Sequence, residues 1–137
     1  PRDSVSKSGL LEFTKVSAGN YFIVVKHFNS LETWSKTGGE ILTVCEPVYD
    51  YDFSDSEAKA YGNNLHLSGS KYCVYSGDIN KSNSINLDDV LFIYNDAGNF
   101  ISGYKPMSDL TGDNLVDLSD ITIAYNNSNK FISVISP

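Results

Sequence analysis

The sequence predicts a mainly β protein with a small α part, in which an antiparallel β-sandwich precedes a duplicated loop–helix unit. Three observations predict it. Nine Tyr and seven Phe in 137 residues favour β structure, because aromatic side chains suit a half-buried pleated surface. Before Gly77, short apolar and β-branched runs are separated by turn signals. After Gly77 the chain repeats itself at an offset of 31 residues, Asp78 aligning with Asp109 and Asp89 with Asp120.

In chain order, Leu10 to Val16 is expected to be a strand that turns at Ser17-Ala18-Gly19-Asn20. Tyr21 to Phe28 is the strongest strand, an apolar run too continuous to keep one face in water. Thr33 to Lys36 and Glu40 to Cys45 flank Thr37-Gly38-Gly39, which is expected to close a hairpin between them. In Val48 to Phe53, alternation places Asp50 and Asp52 on one face and Tyr49, Tyr51 and Phe53 on the other. Ser56 to Tyr61 is read as one helical turn ahead of the Gly62-Asn63-Asn64 break. Leu65 to Leu67 and Lys71 to Tyr75 complete the sandwich, giving domains at 1–76 and 77–137.

The second domain carries the chemistry. Calcium is a hard cation that takes six to eight oxygens, and a twelve-residue loop supplies them from positions 1, 3, 5, 7, 9 and 12. In Asp78 to Asp89 those positions are Asp78, Asn80, Ser82, Ser84, Asn86 and Asp89. In Asp109 to Asp120 they are Asp109, Thr111, Asp113, Leu115, Asp117 and Asp120, with Leu115 offering its backbone carbonyl. Position 8 is apolar in both copies, Ile85 and Val116. Position 6 must turn sharply and holds Asn83 and Asn114, the residue that tolerates φ > 0 best after glycine. Plain Asp/Asn/Ser turns would explain one such loop, but not two matched in oxygens and apolar positions. Two Ca²⁺ are therefore expected, the second loop binding more tightly because it holds four carboxylates against two. Each loop runs into a helix. The stripes Leu87, Val90, Leu91, Tyr94 and Leu118, Ile121, Thr122, Tyr125 are expected to pack on each other and on the sandwich.

Charge and composition narrow the function classes. The formal charge is −7, which repels phosphate backbones and anionic lipid, so nucleic acid is not an expected partner. No apolar run approaches the ~18 residues that would span a membrane. Pro1 has no basic and apolar leader behind it, as expected of a trimmed product or of a cytosolic protein. Cys45 and Cys73, 28 apart, lack metal or redox spacing; a disulfide and free buried thiols both remain open. His27 and His66 are read as structural. Trp34 and the tyrosines are read as core rather than a sugar-stacking platform, and Asp50, Asp52, Asp55 and Glu57 as a solvated acidic turn rather than a third cation site. No nucleophile–base arrangement, phosphate loop or paired carboxylates in a cleft is visible, so neither catalysis nor an organic cofactor is expected.

The loops, each followed by one helix without a preceding one, resemble the duplicated calcium motif of dockerins. Gly77-Asp78-Ile79-Asn80 with Ile85-Asn86-Leu87-Asp88-Asp89 matches its first copy, and Asp109-Leu110-Thr111-Gly112-Asp113 with Val116-Asp117-Leu118-Ser119-Asp120 its second. The resemblance spans about residues 77 to 133. It implies an extracellular, secreted or cell-surface bacterial module that plugs proteins together. Many cohesin-binding dockerins hold a Ser-Thr-like pair at loop positions 10 and 11; Leu87-Asp88 and Leu118-Ser119 here argue against cohesin as the partner. The run from Phe13 to Val25 resembles a prealbumin-like or Cna-B-like sandwich, an Ig-like architecture. Together with Ala60-Tyr61-Gly62-Asn63-Asn64 and Tyr75-Ser76-Gly77-Asp78 it looks like the C-terminal module of large secreted bacterial proteins. Such sandwiches carry one more strand than is visible here, and an open edge invites strand addition. The tail Lys130 to Pro137 is the expected donor, to its own chain or to a neighbour in a fibre. The expected function is thus a calcium-binding structural or assembly module whose partner is another protein or further copies of itself. A carbohydrate-binding accessory module and a calcium-stabilised spacer are the alternatives.

Overall fold

A computed structural model describes residues 13, 16–43, 49–104 and 106–137. Its strands are β1 (Gly19–Tyr21), β2 (Val24–Val25), β3 (Thr33–Trp34), β4 (Glu40–Leu42), β5 (His66–Ser68) and β6 (Lys71–Cys73), followed by helices α1 (Leu87–Gly98) and α2 (Leu118–Ser128). Among the described residues every sheet is two-stranded: β1 with β4, β2 with β3, and β5 with β6. The fold is a small mixture of short antiparallel strand pairs and two helices. The strand expected over 10–16 falls largely outside the described residues, as do 44–48 and therefore Cys45. Cys73 is exposed on β6.

β1–β4 and β2–β3 are consecutive stretches of one long hairpin. Tyr21 lies opposite Glu40 and Val24 opposite Trp34, so three steps along one strand match six along the other. Between them Ser35 N donates to Ile23 O at 2.8 Å, and Ile23 N to Ser35 Oγ at 3.0 Å. The expected hairpin between 33–36 and 40–45 is thereby corrected: Thr33–Trp34 and Glu40–Leu42 do not pair with each other. Thr37-Gly38-Gly39 belongs to an insertion in one strand, and it also splits the single strand expected over Tyr21 to Phe28. Gly38 and Gly39 have φ of 93° and 74°. A Cβ on Gly39 would stand 2.6 Å from Asn20 Oδ1 and 2.9 Å from Tyr21 O. Gly39→Ala is accordingly expected to lower stability by about 1–2 kcal/mol, read as a lower urea midpoint. Gly38→Ala, whose Cβ would meet nothing within 4 Å, should cost less. Equal midpoints for the two would argue against this packing.

The front half has a small apolar core. Leu31, Ala60 and Leu65 are buried, and the Phe22 ring sits edge-on to Trp34 at 5.9 Å and to Tyr61 at 6.1 Å. Trp34 Nε1 donates to Glu32 Oε1 at 2.7 Å. Tyr49, Tyr51 and Phe53 do share a face, Tyr49 stacking on Tyr51, although they join no ladder. Glu40 is buried, pairs with Lys36 Nζ at 3.0 Å and accepts from the Tyr49 hydroxyl. That hydrogen bond pushes the Tyr49 phenol up to about 12. Short 3-10 turns at Glu57–Lys59 and Tyr61–Asn63 replace the expected helical turn, with Gly62 at φ 63°.

The helices start where the sequence predicts. Asn86 and Asp117 are N-caps, and each helix opens with a capping box closed by Asp89 or Asp120. Their inner faces differ from the expected stripes. Ile93 and Ala124 are fully buried with Ile79 and Val116, and Val90, Ala97, Leu110 and Ile121 pack around them. Leu87, Leu91 and Tyr94 on α1, with Leu118 and Tyr125 on α2, are instead exposed. No helix among the described residues is long and apolar enough to cross a membrane.

Two exchanged backbone pairings tie the repeats together. Ile85 N donates to Ile132 O and Val134 N to Asn83 O, both at 2.8 Å, joining the first loop to the tail beyond α2. The equivalents at the 31-residue offset, Val116 N to Ile101 O and Gly103 N to Asn114 O (both 2.9 Å), join the second loop to the segment beyond α1. The tail therefore pairs with a loop of its own chain and, among the described residues, adds no strand to a front-half sheet. Asn64 Nδ2 also donates to Ser133 O at 2.9 Å, and Ile135 lies over Gly62.

Candidate calcium sites

In both loops the position-12 carboxylate is fully buried and accepts three backbone N–H groups. Asp89 accepts from Ile79 N (3.0 Å), Asn80 N (3.2 Å) and Asn86 N (3.1 Å). Asp120 accepts from Leu110 N (2.8 Å), Thr111 N (2.9 Å) and Asp117 N (2.9 Å). Each carboxylate thus holds the start of its loop against the start of its helix. Asn83 and Asn114 turn the loops at φ 68° and 70°, as position 6 requires. Lys81 also has positive φ, as does Gly112 at the same position 4 of the second loop.

The remaining odd positions of the first loop form a chain of close oxygens. Asp78 Oδ1 and Asn80 Oδ1 both accept from Ser82 N at 2.9 Å. Ser82 Oγ reaches Ser84 O at 3.0 Å and Ser84 Oγ at 3.3 Å, and Asn86 Nδ2 donates to Ser84 Oγ at 3.3 Å. In the second loop Asp109 accepts from Thr111 Oγ1 (3.2 Å), Gly112 N (2.6 Å) and Asn114 N (2.8 Å). Asp113 and Asp117 turn onto nearby N–H groups, of Leu115 at 2.9 Å and Ser119 at 2.7 Å. Leu115 forms a β-bridge with Ser102. Among the described residues no three His, Cys, Asp or Glu side chains converge on one point. The loops gather carboxylate, amide and hydroxyl oxygens, a mixture that fits calcium and does not fit the nitrogen and sulfur preferences of zinc.

Electrostatics support the fit. Asp78, Asp89, Asp109 and Asp120 are all buried, and none has an ion-pair partner among the described residues. Burial pushes the Asp78 carboxyl above its ordinary range, and Asp89 adds to the push, while Lys81 and the Ser82 N–H pull it down. Buried carboxylates without a counter-charge are costly, and a divalent cation reverses that cost.

No family model, curated protein or solved structure matches this chain.

Sequence reasoning missed the residues that bolt the loops to the front half. Lys81 Nζ, at loop position 4, donates to His27 O (2.7 Å) and Ser30 O (3.0 Å). Asn29 is buried, and its Nδ2 donates to Asp109 O at 2.7 Å. Asn127 Nδ2 donates to Ser76 O at 2.8 Å. One segment, His27 to Leu31, therefore touches both loops. The only signal was that this segment carries Asn and Ser inside an otherwise apolar stretch.

Proposed function

We propose that this chain is an extracellular calcium-binding module with a structural or assembly role, built from an Ig-like front half and a dockerin-like pair of calcium loops. The observation that carries the proposal is the hydrogen-bond match of the loops: Asp89 and Asp120, fully buried, close on corresponding N–H groups 31 residues apart. Asp78, Asn80, Ser82, Ser84, Asn86 and Asp89 would hold one ion, Asp89 also bracing the loop. Asp109, Thr111, Asp113, Leu115 through its carbonyl, Asp117 and Asp120 would hold the other, Asp120 also bracing the loop. The bound ion supplies positive charge where carboxylates crowd, and with it a fixed geometry for both helices. No step of catalysis is assigned to any residue. Association with a protein partner or with further copies is the role that an acidic, calcium-set scaffold with exposed helix faces would serve. Polymerisation by donating the tail would first have to release its bonds to Asn83 and Ile85.

Isothermal titration calorimetry tests the core of this reading. Two Ca²⁺ per chain are expected, with the second loop tighter, because its carboxylates number four and no lysine lies at position 4. Dissociation constants on the order of 10⁻⁴ M or lower suit an extracellular module. Mg²⁺ should compete poorly, since it keeps its waters. A flat titration with calcium would sink the proposal.

A further inference from the structure

Asn29 lies in the front half, between β2 and β3, and is 4% exposed. Its main chain and side chain reach the entrances of the two loops. The backbone oxygen accepts from Gly77 N at 2.8 Å, one residue before Asp78, and Nδ2 donates to Asp109 O at 2.7 Å. Asp78 and Asp109 are position 1 of their loops and are buried, so one residue ties together two corresponding starts. Lys81 secures the same segment from the first loop, its Nζ donating to His27 O and Ser30 O on either side of Asn29. Beyond it, Ser30 pairs with Ser76 in an antiparallel bridge, and Leu31 N donates to Tyr75 O at 2.8 Å. The exchanged pairings between the repeats involve Asn83, Ile85, Asn114 and Val116, and do not reach position 1 of either loop.

We infer that Asn29 is a positioning residue for both loops and makes calcium binding at one strengthen binding at the other. Filling the first loop orders Asp78 and with it Gly77 and Lys81, the two residues that hold the Asn29 segment. The Asn29 amide is then set against Asp109 O before the second loop is filled, and that loop has less freedom left to lose. The effect runs both ways by thermodynamic necessity. Filling the second loop first fixes Asn29 and, through its backbone bond to Gly77 N, the start of the first loop. The front half thereby becomes a working part of the calcium sites. The inference rests on the calcium reading above.

Calcium titrations of the full chain by two-dimensional NMR test it, the Asn83 and Asn114 amide signals reporting the first and second loop separately. Asp113→Ala, which weakens the second loop, is expected to lower first-loop affinity at least about fivefold. That dependence should vanish in Asn29→Ala and in Asn29→Ser, which remove the donor to Asp109 O and keep the backbone bond to Gly77 N. Asn127→Ala is the control. It removes a bond of similar length, from Asn127 Nδ2 to Ser76 O, that touches neither loop, so it should lower the melting temperature and keep the dependence. The inference is overturned if Asp113→Ala leaves first-loop affinity unchanged, if a folded Asn29 variant retains the dependence, or if Asn127→Ala abolishes it. It is overturned equally if neither Asn29 variant folds in saturating calcium, because Asn29 would then serve the fold as a whole. Two ions bound without any dependence would leave the calcium reading standing, whereas no response at Asn83 or Asn114 in the parent would sink both.

Discussion

Chelating calcium is expected to lower the melting temperature of this protein by roughly 20 °C, with the segment 77–137 losing its helical signal first. The magnitude follows from mass action. An ion present at a hundred times its dissociation constant stabilises the folded state by about 2.7 kcal/mol, so two ions supply ~5 kcal/mol. For a chain of this length each kcal/mol moves the midpoint by about 4 °C. The structure gives a local reason for the loss to begin in the back half. Asp78, Asp89, Asp109 and Asp120 are buried, and the Lys81 ammonium that acts on Asp78 spends its hydrogen bonds on His27 O and Ser30 O. The small core around Ile93 and Ala124 has to hold two helices against that repulsion. Circular dichroism melts in calcium and in EDTA test this directly. Coincident curves would refute it.

The second large effect concerns Asp120. Asp120→Ala is expected to destabilise the protein by about 4 kcal/mol or more even in saturating calcium. The substitution deprives three backbone N–H groups of a buried acceptor in partly buried hydrogen bonds, at about 1–3 kcal/mol each. Asp89→Ala should behave alike, because its three partners correspond. Asp113→Ala is the informative contrast. Asp113 is exposed and accepts only from Leu115 N, so its loss should change stability without calcium by less than about 1 kcal/mol while weakening second-site binding. Urea unfolding of the three variants, with and without calcium, separates the residues that also brace the fold from one that serves the ion alone. An Asp120→Ala unfolding free energy within about 1 kcal/mol of the parent's would remove the bracing role.

The turns and helix starts of the loops were legible because the residues that set them stand at fixed spacing. Oxygen-bearing residues recur at odd positions, Asn83 and Asn114 stand where the backbone must turn left-handed, and Asn86 and Asp117 cap the helices. The helix faces were less legible for a specific reason. The inward positions of α1 and α2 begin with Asp89 and Asp120, so the buried face opens on a carboxylate, and a search for apolar periodicity settles on the next face over. That choice favoured Tyr94 and Tyr125, which are exposed, over Ile93 and Ala124, which are buried. In the front half, Gly38-Gly39 carries the same signal for a hairpin turn and for an insertion within a strand. Only the pairing of 19–25 with both flanking segments distinguishes them. The polar contacts that join the halves, from Asn29, Lys81 and Asn127, depend on long-range placement that no local pattern announces.

The crossed backbone bonds between each loop and the stretch after the opposite helix have a thermodynamic corollary. Linkage is reciprocal: whatever ion occupancy of Asp78 to Asp89 adds to the grip on Ile132 to Val134, an anchored C-terminus returns to that ion's affinity. Clipping the last six residues by a protease, or pulling on them through a tethered load, would therefore register as calcium leaving a loop some fifty residues upstream. If the first loop holds an ion as proposed, Ile132 to Val134 become a handle on it.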